Sequence, residues 1–266
     1  MKVMSYNTLF AGFDGSNDTR YQSQMNVIAD VAPDVLLMQE ARNFTATGSA
    51  LHYLTEARLG MRGFVAEAPF TGQHTAIFVR PQITPISFEA DATHFHHSAA
   101  FLKMAVPGFA KPVRAVSVHL CPNSPEVRLK EAVYLFNLAN PDEFVLVAGD
   151  FNSVSPDDLE PEGMDELPTR FRMRYTDHDG RANRETVRAL LRSGFADVAL
   201  TFPRGGDPTV PADGFPTTEF VPFRSDYILA TSALVATVCD YGVLKDGRTD
   251  FASDHYPIYA EFRGRR

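Results

Sequence analysis

The stretch Phe144-Val145-Leu146-Val147-Ala148-Gly149-Asp150-Phe151-Asn152-Ser153 decides how this chain is read. Its five leading apolar residues predict a central strand, and Gly149 permits a tight turn behind it. Asp150 and Asn152 follow. Both residue types commonly close turns, and both also supply oxygens or amides to cations and phosphoryl groups.

Working outward, the same alternation of strand-like and helix-like stretches recurs. Toward the N-terminus, Ser124-Pro125 opens a helix running to about Leu138, with Ser as cap and Pro in the first turn. Before it, Val113–Leu120, Ala99–Val106, Pro85–Glu89 and His74–Arg80 read as strands. A helix over Ser49–Leu59 is ended by Gly60. Val35–Gln39 is a continuous apolar run, as expected for a strand covered on both faces. Asp18-Thr19 caps a helix to Val31, with Met25, Ile28 and Ala29 on one face and Pro33 as its stop. Val3–Leu9 is the first strand. Toward the C-terminus, Arg184–Ser193 is an amphipathic helix closed by Gly194, and Asp226–Ala230, Leu234–Tyr241 and Ile258–Phe262 are strands. Many strands with interspersed helices predict two sheets packed face to face with helices outside.

Two segments escape the pattern. Residues 155–181 are rich in Pro and acids and contain Arg170-Phe171-Arg172-Met173-Arg174-Tyr175, while residues 202–223 are dense in Gly and Pro. Loops this long in a compact domain are functional or disordered. Basic residues interleaved with aromatics suit a phosphate-bearing or stacked substrate, and an irregular surface segment is the plainer alternative.

Composition bounds the rest. At 266 residues with no linker-like tract, the chain is expected to form a single domain over 1–266, and 44% hydrophobic residues including 21 Phe supply its core. No window approaches the roughly 18 consecutive apolar residues of a membrane span. Met1-Lys2-Val3-Met4 runs directly into a strand without the apolar stretch of a leader, so a cytoplasmic location is expected. Cys121 and Cys239 form no disulfide framework and no metal spacing, and are read as reduced thiols. A net charge of −8 argues weakly against a dedicated binder of long nucleic acid.

Three short motifs carry the chemistry: Met4-Ser5-Tyr6-Asn7-Thr8-Leu9, Ala148-Gly149-Asp150-Phe151-Asn152-Ser153 and Ser253-Asp254-His255-Tyr256-Pro257. Together with Asp34-Val35-Leu36-Leu37-Met38-Gln39-Glu40, in this order, they resemble the endonuclease/exonuclease/phosphatase superfamily over about Lys2 to Phe262. The resemblance implies a four-layer α/β sandwich, two packed mixed β-sheets flanked by helices, with the site at one end. It implies Glu40, Asn7 and Asp254 as ligands of Mg²⁺, with Mn²⁺ as an alternative. Read alone, Glu40 is an ordinary solvated strand terminus. Asp150 would orient or deprotonate the attacking water, or hold a second cation, and Asn152 would bond the phosphoryl group.

In Arg224-Ser225-Asp226-Tyr227, Asp226 resembles the partner of the terminal histidine, His255. A carboxylate on one imidazole nitrogen fixes the tautomer and favours the protonated ring. The other nitrogen then meets developing phosphoryl charge or the leaving group. His119 resembles the first active-site histidine of deoxyribonucleases and sphingomyelinases, with a catalytic or substrate-binding role. The Glu that supports it in deoxyribonucleases falls near Gln73-His74 here and is missing. Arg42 resembles a phosphate-contacting arginine, with a solvated surface Arg as the alternative, and Arg128 supports the His119 loop or the substrate. Leu9 stands where abasic-site endonucleases carry an acid.

The sequence thus predicts a divalent-metal-dependent hydrolase of a small-molecule or lipid-headgroup phosphodiester or phosphomonoester, with a phosphate ester as its partner. A DNA or RNA nuclease is the disfavoured second reading. A non-hydrolytic binding protein, or a repurposed metal-assisted enzyme on the same fold, is the third.

Overall fold

The computed structural model describes residues 1–203, 205–215 and 219–264. One sheet contains β1 (Lys2–Asn7), β2 (Val35–Gln39), β3 (Arg62–Ala66), β4 (Thr75–Val79), β11 (Val238–Val243) and β12 (Ile258–Phe262), in the order β11-β12-β1-β2-β4-β3. The other holds β5 (Thr84–Asp91), β6 (Ala99–Ala105), β7 (Val113–His119), β8 (Phe144–Asp150), β9 (Phe195–Asp197) and β10 (Asp226–Thr231), in the order β5-β6-β7-β8-β10-β9. Both sheets are mixed, since β1–β2 and β7–β8 pair in parallel and their neighbours antiparallel.

Strand alternation assigns each residue to a layer. Val3, Val35, Leu37, Leu102, Ala115, Leu146 and Ile228 face inward and form the core between the sheets. Met4, Leu36, Met38 and Phe78 face the other way, against Tyr21, Met25 and Ile28 of α1 (Thr19–Val31) and Leu59 of α2 (Ala50–Leu59). On the opposite flank Val118, Val145, Val147 and Leu229 meet Ala132 of α3 (Pro125–Val133) and Val187 and Leu190 of α5 (Glu185–Ser193). The result is the four-layer sandwich the sequence predicts. Each such buried aliphatic contributes roughly 2 kcal/mol through area removed from water.

The inner-facing rows change character along their length. Above the apolar core lies a polar layer in which Gln39 Nε2 donates to Ser117 Oγ at 3.0 Å, and the Ser5 hydroxyl lies 3.4 Å from Gln39 Oε1. Beyond it the same rows end in Asn7, His119, Asp150 and Asp226. Parallel register sets His119 beside Asp150, and antiparallel register sets Asp226 beside Asp150. Pairing alone thus lines three of these residues up at one end of the sandwich.

Several expectations need correction. β8 continues through Gly149 to Asp150, so the glycine is not in a turn. Its requirement comes from close approach, because a Cβ there would lie 1.8 Å from the Val118 carbonyl oxygen, and its φ of +147° is also unfavourable for other residues. The first strand stops at Asn7 rather than Leu9, which adopts a left-handed conformation. The expected strand over Leu234–Tyr241 is instead α6 (Ser232–Val235) followed by β11. The chain leaves one sheet after β10 and enters the other at β11, and this corner cannot be extended. Asp18 holds the N-cap position of α1 as expected, but its side chain makes no capping hydrogen bond, and Asn17 Oδ1 instead accepts from Thr19 N at 2.9 Å. The Ser124 cap forms as expected, accepting from Val127 N, but its helix ends at Val133 before a short 3-10 turn. Two edge strands, β3 and the three-residue β9, carry no clear apolar alternation and went unread. The 155–181 segment is not all loop, since α4 spans Thr169–Tyr175. No helix among the described residues is long and apolar enough to cross a membrane. Cys121 and Cys239 are free thiols.

Candidate active site

His255 is buried between two carboxylates. Its Nδ1 lies 2.9 Å from Asp226 Oδ2 and its Nε2 lies 3.6 Å from Asp150 Oδ2. Asp226 is fixed in turn by Thr209, whose hydroxyl donates to Oδ2 at 2.6 Å while accepting from the backbone amides of Ser225 and Asp226. Burial alone would lower the His255 pKa, but Asp226 and Asp150 outweigh it and hold it well above the usual imidazole range. The ring is therefore imidazolium at neutral pH.

Asp150 is the hub of the cleft. Its Oδ1 accepts from Ser225 Oγ at 2.6 Å and from Asn152 N at 2.9 Å, and its Oδ2 accepts from Asn7 Nδ2 at 3.1 Å. His119 Nε2 lies 3.4 Å from that same Oδ2. Burial would raise the Asp150 pKa, yet the positive charge of His255 and these hydrogen bonds hold it below the usual carboxylate range. Asn152, in the left-handed region at φ 48°, donates one amide hydrogen to Leu120 O at 3.1 Å and keeps a second.

The second histidine differs from the first. Burial pushes the His119 pKa down to about 4, despite Asp150 beside it, so the ring is neutral. Its Nδ1 has no partner among the described residues, and its ring lies 4.4 Å from that of His97. His97 is buried too, its Nδ1 bonded to Thr71 Oγ1 at 2.8 Å. Among the described residues no other acid replaces, at His119 Nδ1, the carboxylate missing from the sequence near Gln73-His74. His74 is occupied structurally, accepting from Ala68 N at 2.9 Å and bonded to Thr45 at 3.1 Å. Gln73 lines the cleft instead.

Glu40 and Asp254 stand together at the lip. Burial and the nearby Asp254 push the Glu40 pKa up to about 7. Glu40 Oε2 accepts from Phe10 N at 3.0 Å, and among the described residues no Arg or Lys pairs with either acid. Two half-buried carboxylates without a cation, with Asn7 linked to Asp254 through Ser253, whose hydroxyl donates to Asn7 O at 2.8 Å and lies 3.3 Å from Asp254 Oδ1, offer a hard-oxygen donor set suited to a divalent cation such as Mg²⁺. Asn7 Oδ1 also accepts from Leu9 N at 3.2 Å, so Asn7 has a structural duty besides. Asp150, Asp226 and His255 likewise bring ligand-type atoms within 4.8 Å of one another. There the imidazolium itself bridges the carboxylates, and we read the set as an ion-paired triad.

The structure thus brings His255, Asp226, Asp150, His119, Asn152, Asn7, Glu40 and Asp254 to one end of the sandwich. Arg42 is apart from them. It is exposed, its guanidinium lies 5.1 Å from the Phe10 ring centroid, and it is not among the described residues lining the cleft. Arg128 is fully buried and joins the carbonyls of Cys121, at 2.8 Å, and Arg174, so it ties the end of β7 to α4. Sequence reasoning named Ser225 and Gln73 only as neighbours of other residues and gave them no role, and it missed Thr209 and His97, which sit in loops with no motif around them. It also left Glu219 and Phe220 unnamed; together with Arg174, from the stretch read as suiting a phosphate-bearing or stacked substrate, they line the cleft. The alternation of basic and aromatic residues at 170–175 was the available signal for Arg174.

The cleft has a volume of about 240 Å³. Comparison with solved structures gives the same fold throughout. A functionally unknown conserved protein from Enterococcus faecalis V583 is 20% identical with a TM-score of 0.69, covering 99% of this chain and 100% of that one. A mannosyl-6-phosphatase from Bacteroides thetaiotaomicron is 16% identical with a TM-score of 0.69, at 98% coverage of each chain. An AP endonuclease from Archaeoglobus fulgidus is 18% identical with a TM-score of 0.66, covering 98% and 99%. No protein of curated function matches the sequence. The Endonuclease/Exonuclease/phosphatase family model does match, over residues 4–255, and the chain therefore belongs to that phosphoesterase and nuclease family.

Proposed function

We propose that this protein is a divalent-metal-dependent phosphoester hydrolase acting on a small-molecule or lipid-headgroup phosphate ester. The observation that carries this reading is the Asp226–His255–Asp150 array, an imidazolium held by one carboxylate and facing a second, ionised one beside an unpaired acidic lip. Family membership supports both hydrolysis and metal dependence. The small cleft, narrowed by Phe220 and Arg174, supports a compact substrate.

Glu40, Asp254 and Asn7 would hold Mg²⁺ or Mn²⁺, which when bound neutralises phosphoryl charge and polarises the ester. Asp150, kept ionised, accepts a proton from the attacking water and aims it in line with the leaving oxygen. His255 donates its Nε2 hydrogen to the phosphoryl oxygens, where charge accumulates, while Asp226 keeps its other nitrogen protonated. Asn152 offers its second amide hydrogen to the same oxygens. His119, being neutral, contributes a hydrogen bond and not a proton. The site is pre-formed, so these donors need little reorganisation during the reaction.

The test is turnover of p-nitrophenyl phosphate, bis-p-nitrophenyl phosphate, a choline phosphodiester and single- and double-stranded oligonucleotides, with Mg²⁺, Mn²⁺ or chelator, for wild type and His255→Ala. Metal-dependent turnover of the small esters that collapses in the variant supports the proposal. Preference for oligonucleotides transfers it to the nuclease reading. Turnover no higher in wild type than in the variant on every substrate sinks it.

A further inference from the structure

Arg174 is the only Arg or Lys among the described residues that line the cleft, and no motif of the family resemblance marks it. It sits on α4, inside the basic-aromatic stretch, with its guanidinium 5.0 Å from the Phe171 ring centroid. α4 is anchored firmly. Buried Arg128 donates to the Arg174 carbonyl and to the Cys121 carbonyl two residues past His119. Tyr175, also buried, packs on Phe220 and Phe223 at 5.9 and 5.3 Å, and the Phe220 ring meets His255 edge-on at 5.8 Å. The helix that carries Arg174 is therefore built onto both catalytic corners, and is no loose surface turn.

Inside the cleft the Arg174 guanidinium is ion-paired with Glu219, from the other unassigned segment. The Glu219 carboxylate is half-buried, at 34% side-chain exposure. Burial pushes its pKa up in spite of Arg174, and Asp254 and Asp150 add repulsion, His255 offsetting only part. A site meant for anions thus holds an internal anion beside its one guanidinium. Arg forks bind phosphate bidentately, and a dianion gains more from the exchange than a carboxylate loses.

We propose that Arg174 is the phosphate-recognising residue of this site, that Glu219 is a displaceable internal stand-in for the substrate phosphate, and that the pair favours dianionic phosphomonoesters over monoanionic diesters. The assignment rests on the phosphoester reading above for its substrate class, but its binding test does not require turnover. A phosphomonoester group displaces Glu219, takes up the Arg174 fork and presents its phosphorus beneath His255 and Asp150. A diester brings one negative charge and a second bulky substituent against Phe220. It compensates less for the broken ion pair.

The experiment is calorimetric binding of inorganic phosphate with Mg²⁺ present, at about pH 8 where phosphate is mostly dianionic. Wild type is compared with Arg174→Ala, Arg174→Lys and Glu219→Gln, with far-UV circular dichroism of each. Arg174→Ala is expected to weaken phosphate binding roughly tenfold or more. Arg174→Lys should recover part of the loss, since charge remains and the fork does not. Glu219→Gln should tighten binding about threefold or more by removing the competing charge. A gain cannot come from misfolding, so that variant decides the matter even where Arg174→Ala fails to fold. Unchanged phosphate affinity in folded Arg174→Ala, or weaker binding in Glu219→Gln, overturns the proposal. In turnover assays Arg174→Ala should raise KM for p-nitrophenyl phosphate more than for bis-p-nitrophenyl phosphate, and equal penalties overturn the monoester preference. Absence of turnover in wild type would sink the hydrolase reading alone, since the phosphate-binding contrast stands or falls separately.

Discussion

His255 and His119 approach the same oxygen of Asp150, at 3.6 and 3.4 Å, yet they carry different charge. Both rings are buried, so desolvation works against protonation in each. The difference lies on the far nitrogen. His255 Nδ1 meets Asp226, itself held by Thr209, whereas His119 Nδ1 meets no carboxylate and its ring rests on another histidine. One partner acid separates a ring that is cationic at neutral pH from a neutral hydrogen-bonding ring. In a buried site the group behind a histidine sets its charge more than the group in front.

This contrast can be broken from either side. Replacing His255 by Ala removes the cation that meets phosphoryl charge, and should lower kcat/KM by on the order of 10³-fold or more under saturating metal. A loss below about tenfold would show that the His255 corner is not catalytic. Asp226→Asn is the finer cut. Packing is kept, but the imidazolium loses its main support, and kcat/KM should fall roughly 10²-fold, with the basic limb of the pH profile moving to lower pH. A basic limb that stays in place would mean His255 titration does not govern it.

The same contrast predicts opposite pH signatures in the metal-free protein. His119, depressed to about 4 from an unfolded value near 6.5, binds its proton more weakly in the folded state. Its contribution is complete above about pH 6.5 and is lost as pH falls toward 4, up to roughly 3 kcal/mol. His255 is raised, so its contribution is present below the unfolded imidazole value and is lost as pH rises through its elevated folded value. Urea unfolding from pH 4 to 9 in chelator should show His119→Asn flattening only the acid side. His255→Asn should flatten only the alkaline side, and matching effects of the two variants would contradict the assignment. The smallest effect is expected for His119→Asn in catalysis, about tenfold in kcat/KM, because a neutral hydrogen bond is lost and no charge. A drop as large as that of His255→Ala would show that His119 titrates during turnover.

The legible parts of the sequence were those where one residue answers to one local rule. Val35–Gln39 and Phe144–Ala148 read as buried strands because both of their faces are covered, and Ser124 capped its helix as its type predicts. The strand ends at or beside Asn7, Glu40, His119 and Asp150 stood out because polar groups there must leave an apolar run, whereas His255 stood out through its motif ahead of β12. β3 failed because Arg62 and Gly63 open it at an edge, where burial enforces no alternation. α6 failed because Leu234 is apolar for the core's sake, while the backbone turns between sheets. Arg42 was named from its resemblance to a phosphate-contacting arginine, with a solvated surface Arg as the alternative, and neither reading could foresee a guanidinium laid over Phe10.

By itself the sequence determined the strand and helix inventory in outline, the inward and outward rows, and which side chains are chemically able to hold a cation or move a proton. These follow from period and residue type, which are local. The tertiary structure alone decided that Asp226, Asp150 and His119 share one register, that Thr209 stands behind Asp226, and that Arg174 and Glu219 meet across the cleft. Those contacts join segments tens of residues apart. Their charges and pKa shifts come from burial and distance, which exist only once the sheets have packed.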